Sequence, residues 1–311
     1  MEFSRGVFES LKKRLLRVDL KPRDISVTPL RIATEHYYYK PMLAFSDSFS
    51  LRAFRTARLQ LEGPVLDVGC GDGTFGAMLK RVVGSTGHTT GIDLNSDALH
   101  KARRNPWQPY SALVLGDATE LPFTDGVFQT VIANGSITGM GPSFASALRE
   151  ILRVLASDGR FYCTVPTILF RENWLLARIL RKLGLSTVAS RYVNMQDRRC
   201  ANFVYHTTED WIGAFKESGF IKIQVVGFFP ASHMTYWSIL AWTPFRILSL
   251  LRMVPVGVMH QLVARLEQGL FSSIYRRTPD YCEPKNCVYI LIYGSKEVLN
   301  QSQKSLLENR S

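Results

Sequence analysis

Three glycines and two carboxylates between residues 67 and 73 pose the first chemical question of this chain. In VLDVGCGDGTFGAMLKRV, residues 65–82, an apolar run gives way to Gly69, Gly71 and Gly73, and a helix-compatible stretch follows. Residues without a Cβ let the backbone turn tightly and let a ligand approach it closely. Dinucleotide sites use a similar turn to seat a pyrophosphate on a helix N-terminus. Asp67 and Asp72 suit such a phosphate poorly and suit a ligand with a positive or amine-bearing end well. Asp93 stands 22 residues beyond Gly71, ending a second apolar run, where a carboxylate can accept from two ribose hydroxyls. Asp117, in GDATELPF, can accept from an adenine amino group, with Ala118 beside the ring and Leu94 and Leu121 against its faces. A ligand with an adenine, a ribose and a short cationic tail satisfies more of these residues than a dinucleotide does. A nicotinamide-dependent oxidoreductase shares the Asp93 requirement and stands as the rival reading.

Those side chains need a frame. From Pro64 onward, short apolar runs alternate with helix-compatible stretches, which is the pattern of a parallel α/β sheet. The runs predict strands over 65–71, 88–94, 111–117, 128–134 and 159–166, with helices over 74–83, 96–104 and 143–156. The last helix carries Phe144, Leu148, Ile151, Leu152 and Leu155 as an apolar stripe, with Ser143 as its cap. Farther on, TTEDWIGAFKESGF predicts a helix capped by Thr208 and ended by Gly219, and 221–229 and 287–294 predict two more strands. Between Pro166 and that helix, NWLLARILRKLGL reads as a basic apolar helix followed by an irregular polar stretch.

With the elements in place, DVGCGDGTFG, GIDL, GDATELPFTDGVFQTVIANG and ALREILRVLASDGRFYCTVP together resemble class I S-adenosylmethionine-dependent methyltransferases. The likeness is greatest to the subgroup that includes ubiquinone and menaquinone biosynthesis enzymes and sterol or small-molecule methyltransferases. It covers about residues 60–230 and the strand at 287–294. It implies a Rossmann-like α/β fold with seven strands in the order 3-2-1-4-5-7-6, strand 7 antiparallel, and a helical apolar insertion between strands 6 and 7. It also implies S-adenosyl-L-methionine as cofactor: Asp67, Gly69, Gly71 and Gly73 around the methionine part, Asp93 on the ribose, Leu94, Asp117 and Ala118 at the adenine, and Asn134 facing the methionine end. Two departures stand out. The subgroup often has Glu-His after strand 4, where this chain reads NGSITGM, and its Pro-Gly-Gly turn before strand 5 is ASDG here.

Methyl transfer needs the acceptor atom in line with the methyl and its sulfur, so orientation can supply much of the catalysis. A hydroxyl acceptor also benefits from a base. The candidates are His206, His233 and Tyr37, followed by Glu35 and Tyr192. Each also reads as structure: His206 precedes a helix cap, His233 sits in apolar sequence, and Tyr37 belongs to a run of aromatics that can close over the cofactor or pack as core. Metal use is not expected, because Cys282 and Cys287 have no second cysteine pair or histidine cluster beside them.

The remaining expectations concern the acceptor. The 311 residues carry 38 basic and 26 acidic side chains, a formal net charge of +12. Such a balance excludes an acidic tail protein, and the hydrophobic share of 46% excludes a wholly disordered chain. The cofactor stretch 59–170 is net acidic at −2, while 1–58, 171–199 and 200–311 hold +6, +5 and +3. This divides the chain into a basic N-terminal helical extension at 1–58, a methyltransferase domain at 59–295 and a polar tail at 296–311. The domain includes a basic helical insertion at 167–207 and an apolar one at 230–286. Phe3, Val7, Leu11 and Leu15 mark a basic amphipathic helix, and Val225–Phe245 holds no charged residue, although its glycine and prolines argue against a clean membrane span. These features predict a hydrophobic, lipid, isoprenoid or lipid-linked acceptor methylated on oxygen or carbon, and an anionic membrane surface as partner. The competing readings are a soluble secondary-metabolite methyltransferase, with the insertion as a lid, and a noncatalytic cofactor-binding module. A nucleic-acid partner is not expected, since basic charge without a recognisable RNA-reading module is a weak warrant. Five cysteines give no disulfide framework, and the N-terminus lacks a secretory pattern. The expected location is cytoplasmic, with peripheral attachment to the cytoplasmic membrane face as the form that a membrane partner would take.

Overall fold

The computed structural model describes residues 28–36, 41–85, 87–199, 203–241 and 272–297. Its seven strands are β1 (Val65–Val68), β2 (Thr89–Asp93), β3 (Ala112–Leu115), β4 (Phe128–Asn134), β5 (Leu155–Pro166), β6 (Ile221–Pro230) and β7 (Cys287–Ser295). They lie in one sheet in the order β3-β2-β1-β4-β5-β7-β6. Strands β1 to β5 pair in parallel, and β7 runs antiparallel to both β5 and β6. The fold is the seven-stranded arrangement that the resemblance implied.

Helices cover both faces, so the strands alternate between two cores rather than between core and water. Ile132, Tyr162 and Leu291 point to one core, built with helices Thr28–His36, Pro41–Thr56 and Thr74–Val83. Their neighbours Val131, Ala133, Phe161, Cys163, Ile290 and Ile292 point to the other, built with helices Phe144–Val154 and Thr208–Glu217. Such two-sided burial explains why these segments read as unbroken apolar runs.

Several local expectations are corrected. Ser143 does not cap the helix that follows: it is itself helical and ends a 3-10 segment over Ile137–Ser143. Helix Thr208–Glu217 is capped by Thr207, whose hydroxyl accepts from Asp210 N while the Asp210 carboxylate accepts from Thr207 N. The stretch read as irregular and polar holds helix Ser186–Arg199. Strand β5 begins at Leu155, before the ASDG turn, because Leu155 pairs with Phe128 across a register shift. The amphipathic segment at 3–17, Tyr37, residues 242–271 of the apolar insertion and most of the polar tail lie outside the described residues.

Candidate active site

The C-terminal ends of β1, β2, β3 and β4 bring the singled-out acids and glycines to one edge of the sheet. Gly69, Gly71 and Gly73 have φ of 72°, 54° and 76°, a region that side chains with a Cβ avoid. The three have different neighbours. A Cβ on Gly69 would overlap the Cβ of Ser136, and one on Gly73 would press Pro109 and Tyr110 at 3.1 Å. At Gly71 it would meet nothing within 4 Å. Two of the glycines therefore make room for the protein itself, and Gly71 faces the open space of the cleft.

Asp93 fixes that loop. Its Oδ2 accepts from Gly71 N and its Oδ1 from Asn95 N, each at 2.8 Å. One amide on each oxygen leaves lone pairs for further donors. Next to it, Leu94 is 71% exposed, an apolar side chain standing at the rim. After β3, Asp117 Oδ1 accepts from both the amide and the hydroxyl of Thr119 at 2.8 Å. Ala118 and Leu121 beside it are buried. At the end of β4, Asn134 Oδ1 accepts from the Thr164 hydroxyl at 2.7 Å.

Asp67 lies beneath the loop, only 3% exposed, and accepts from the Tyr110 hydroxyl at 2.6 Å. Burial pushes its carboxyl up to about 6, against the pull of the Tyr110 bond, and the nearby Asp93 adds to the rise. Tyr110 and Ser136 were not singled out by sequence, nor was Asn105, whose amide donates to Asp72 O at 3.2 Å. The segment from Asn105 to Tyr110 thus props the glycine turn from behind. No motif marks it, since its prolines and tryptophan read as an ordinary connection.

The candidate bases fall into different settings. His233 is buried, with Nε2 2.6 Å from Thr278 Oγ1 and Nδ1 3.2 Å from Ser232 Oγ. The Thr278 hydroxyl donates to Ile274 O, so Nε2 of His233 carries the proton and donates to Thr278. Burial and the charge of Arg52 lower its pKa to about 4. His206 packs its ring between Phe144 and Trp211, while its carbonyl accepts from Ile168 N at 2.9 Å. Glu35 pairs with Arg81 at 2.8 Å and Arg31 at 3.1 Å, and Tyr192 is buried beside Trp174. Among the described residues no group of three or more His, Cys, Asp or Glu side chains could hold a metal ion. No described helix is long and apolar enough to cross a membrane.

Comparison with known proteins agrees with this geometry. Residues 65–159 match the family described as "Methyltransferase domain". The demethylmenaquinone methyltransferase of Staphylococcus aureus is 30% identical over 180 residues, covering 55% of this chain and 74% of its own. Among solved structures, phosphoethanolamine N-methyltransferase 2 from Haemonchus contortus, bound to phosphomonomethylethanolamine and S-adenosylhomocysteine, superposes with a TM-score of 0.53. It is 15% identical and aligns over 85% of this chain and 58% of its own, a likeness of fold.

Proposed function

The chain belongs to the class I S-adenosylmethionine-dependent methyltransferases, and we propose that it methylates an oxygen or carbon of a hydrophobic acceptor of the quinone, isoprenoid or lipid-linked kind. The observation that carries this reading is the likeness to a relative that is by name a demethylmenaquinone methyltransferase, 30% identical over 180 residues.

The cofactor supplies an electrophilic methyl on a positively charged sulfur. In this reading Asp93 accepts from the ribose hydroxyls with the lone pairs its amide partners leave, and Gly71 lets the chain lie close along the ligand. Asp117 and Ala118 border the adenine, and Leu94 covers its face. Asp67 puts a carboxylate under the positive end, and Asn134 borders the opening where the acceptor enters. Bound by these residues, the cofactor would supply its methyl to an acceptor oxygen or carbon placed in line with the sulfur, so alignment is the main requirement. His233, with both ring nitrogens engaged by the protein, is assigned to packing. His206 and Tyr37 remain the candidates for proton removal.

Incubation with labelled S-adenosylmethionine and separated membrane and soluble extracts tests the proposal. The label is expected in organic-extractable product. Label confined to water-soluble small molecules would overturn the acceptor assignment in favour of a soluble metabolite, and cofactor binding with no labelled product would favour a noncatalytic module.

A further inference from the structure

Helices Leu175–Lys182 and Ser186–Arg199 form a hairpin turned at Gly184, whose φ is 76°. Its root is held to the domain. Leu175 N donates to Ser238 Oγ at 3.2 Å, Arg171 pairs with Asp197 at 2.8 Å, and Ala177, Ala189, Tyr192 and Val193 are buried. Its tip is the opposite: every residue from Arg181 to Val188 is exposed. Leu183 is 68% exposed, and Ile179, Leu185 and Val188 lie between 44% and 47%. Four large apolar side chains gathered at one tip mark a surface that meets something other than water.

The charges say what that something is. Residues 173–196 contain Arg178, Arg181, Lys182 and Arg191 and not one acid. Leucines that enter hydrocarbon, ringed by cations that remain at the headgroups, match an anionic bilayer surface. A nucleic acid would use the cations and leave the leucines in water. We propose that the tip at 178–191 docks the enzyme on an anionic lipid bilayer. This rests on the hydrophobic-acceptor reading, because the hairpin follows β5 from the cofactor end of the sheet and packs against helix His233–Ala241. Docking there brings the acceptor end of the cleft to the membrane.

Flotation of the full chain with mixed phosphatidylcholine–phosphatidylglycerol vesicles and with pure phosphatidylcholine vesicles tests it. The wild type is expected to float with the mixed vesicles, less so as salt is added. L183E/L185E should lose at least tenfold in partition, and R178Q/K182Q about fivefold per lost cation, on the mixed vesicles. Both variants should keep the wild-type melting temperature and affinity for S-adenosylhomocysteine, since the substituted side chains stand in solvent. A wild type that stays unbound overturns the proposal, as do variants that float like the wild type. It also fails if the wild type self-associates without lipid and L183E/L185E separates the copies, which would make the tip a subunit interface. Vesicle binding joined to a purely water-soluble methylated product refutes the acceptor reading and leaves the docking tip standing; the converse refutes the tip alone.

Discussion

The Tyr110 hydroxyl donates to Asp67 Oδ2 at 2.6 Å, tying the connection before β3 to the strand beneath the glycine loop. Among the described contacts of Asp67 this bond lowers its pKa, while burial raises it to about 6. Tyr110→Phe removes the bond and moves the carboxyl further up, into the neutral range. A protonated carboxyl cannot favour the positive end of the cofactor. The bond to a charged acceptor is worth about 1.5–3 kcal/mol. The variant is therefore expected to bind S-adenosylhomocysteine roughly tenfold more weakly at pH 7 and to recover much of the loss at pH 8.5. Calorimetry at both values checks this, and an equal loss at both would show that Tyr110 acts by packing alone.

The glycines separate stability from binding. Gly69→Ala must overlap Ser136 and adopt a positive φ, so it is expected to destabilise the fold by about 2–4 kcal/mol. Gly71→Ala carries the φ penalty, about 1 kcal/mol, without a clash. Its methyl projects into the cleft, and cofactor affinity should fall at least tenfold while the melting temperature changes little. Thermal melts and calorimetry on the two proteins decide it; the assignment of Gly71 to the ligand fails if G71A binds like the wild type.

How much of this was legible in the sequence follows from how each feature is encoded. The strands were readable because Ile132, Tyr162 and Leu291 are as apolar as the neighbours that face the opposite core. The ends of β1, β2 and β3 were readable because Gly69, Asp93 and Gly116–Asp117 close their apolar runs. Helix Ser186–Arg199 was not, because its buried stripe of Ala189, Tyr192, Val193 and Gln196 has helical spacing but includes a small residue and a polar one. Tyr110 and Ser136 act across 43 and 68 residues of chain, and neither local periodicity nor a motif encodes such contacts. The Thr207 cap was missed by one residue, as adjacent threonines offer the same hydroxyl and only the reciprocal bond from Asp210 decides between them.

Cys282 is expected to be the most reactive of the four described cysteines. The neighbouring Cys287 thiol and the Arg52 charge hold its thiol below the usual range, against partial burial. Burial pushes the thiols of Cys70 and Cys163 up instead. Alkylation by iodoacetamide should reach Cys282 first, with a rate that levels at a lower pH than for an ordinary thiol, as thiolate is the reacting form. Cys287→Ala should move that levelling to higher pH. Peptide mapping by mass spectrometry reads both, and earlier labelling of Cys70 or Cys163 would contradict the order.

Asp67 and His233 titrate in overlapping ranges with opposite effects on stability. The folded pKa of Asp67, about 6, lies above its ordinary 3.8, so from pH 4 to 6 the native state holds a proton that the unfolded chain has released. Stability from this group is present below pH 4 and is lost as pH rises to 6. The folded pKa of His233, about 4, lies below its ordinary 6.5, so over pH 4 to 6.5 the unfolded chain holds the extra proton. Stability from this group is present above pH 6.5 and is lost as pH falls to 4. Each slope approaches about 1.4 kcal/mol per pH unit, and together they nearly cancel. Asp67→Asn should therefore make stability rise more steeply with pH than in the wild type between 4 and 6, leaving the protein more stable at pH 7 although it binds cofactor less well. His233→Gln should tilt the curve the other way, with its largest deficit at pH 7. Urea unfolding of the three proteins at pH 4.5, 5.5 and 7 measures the tilt, and parallel curves would mean that neither group is held in the protonation state its burial demands.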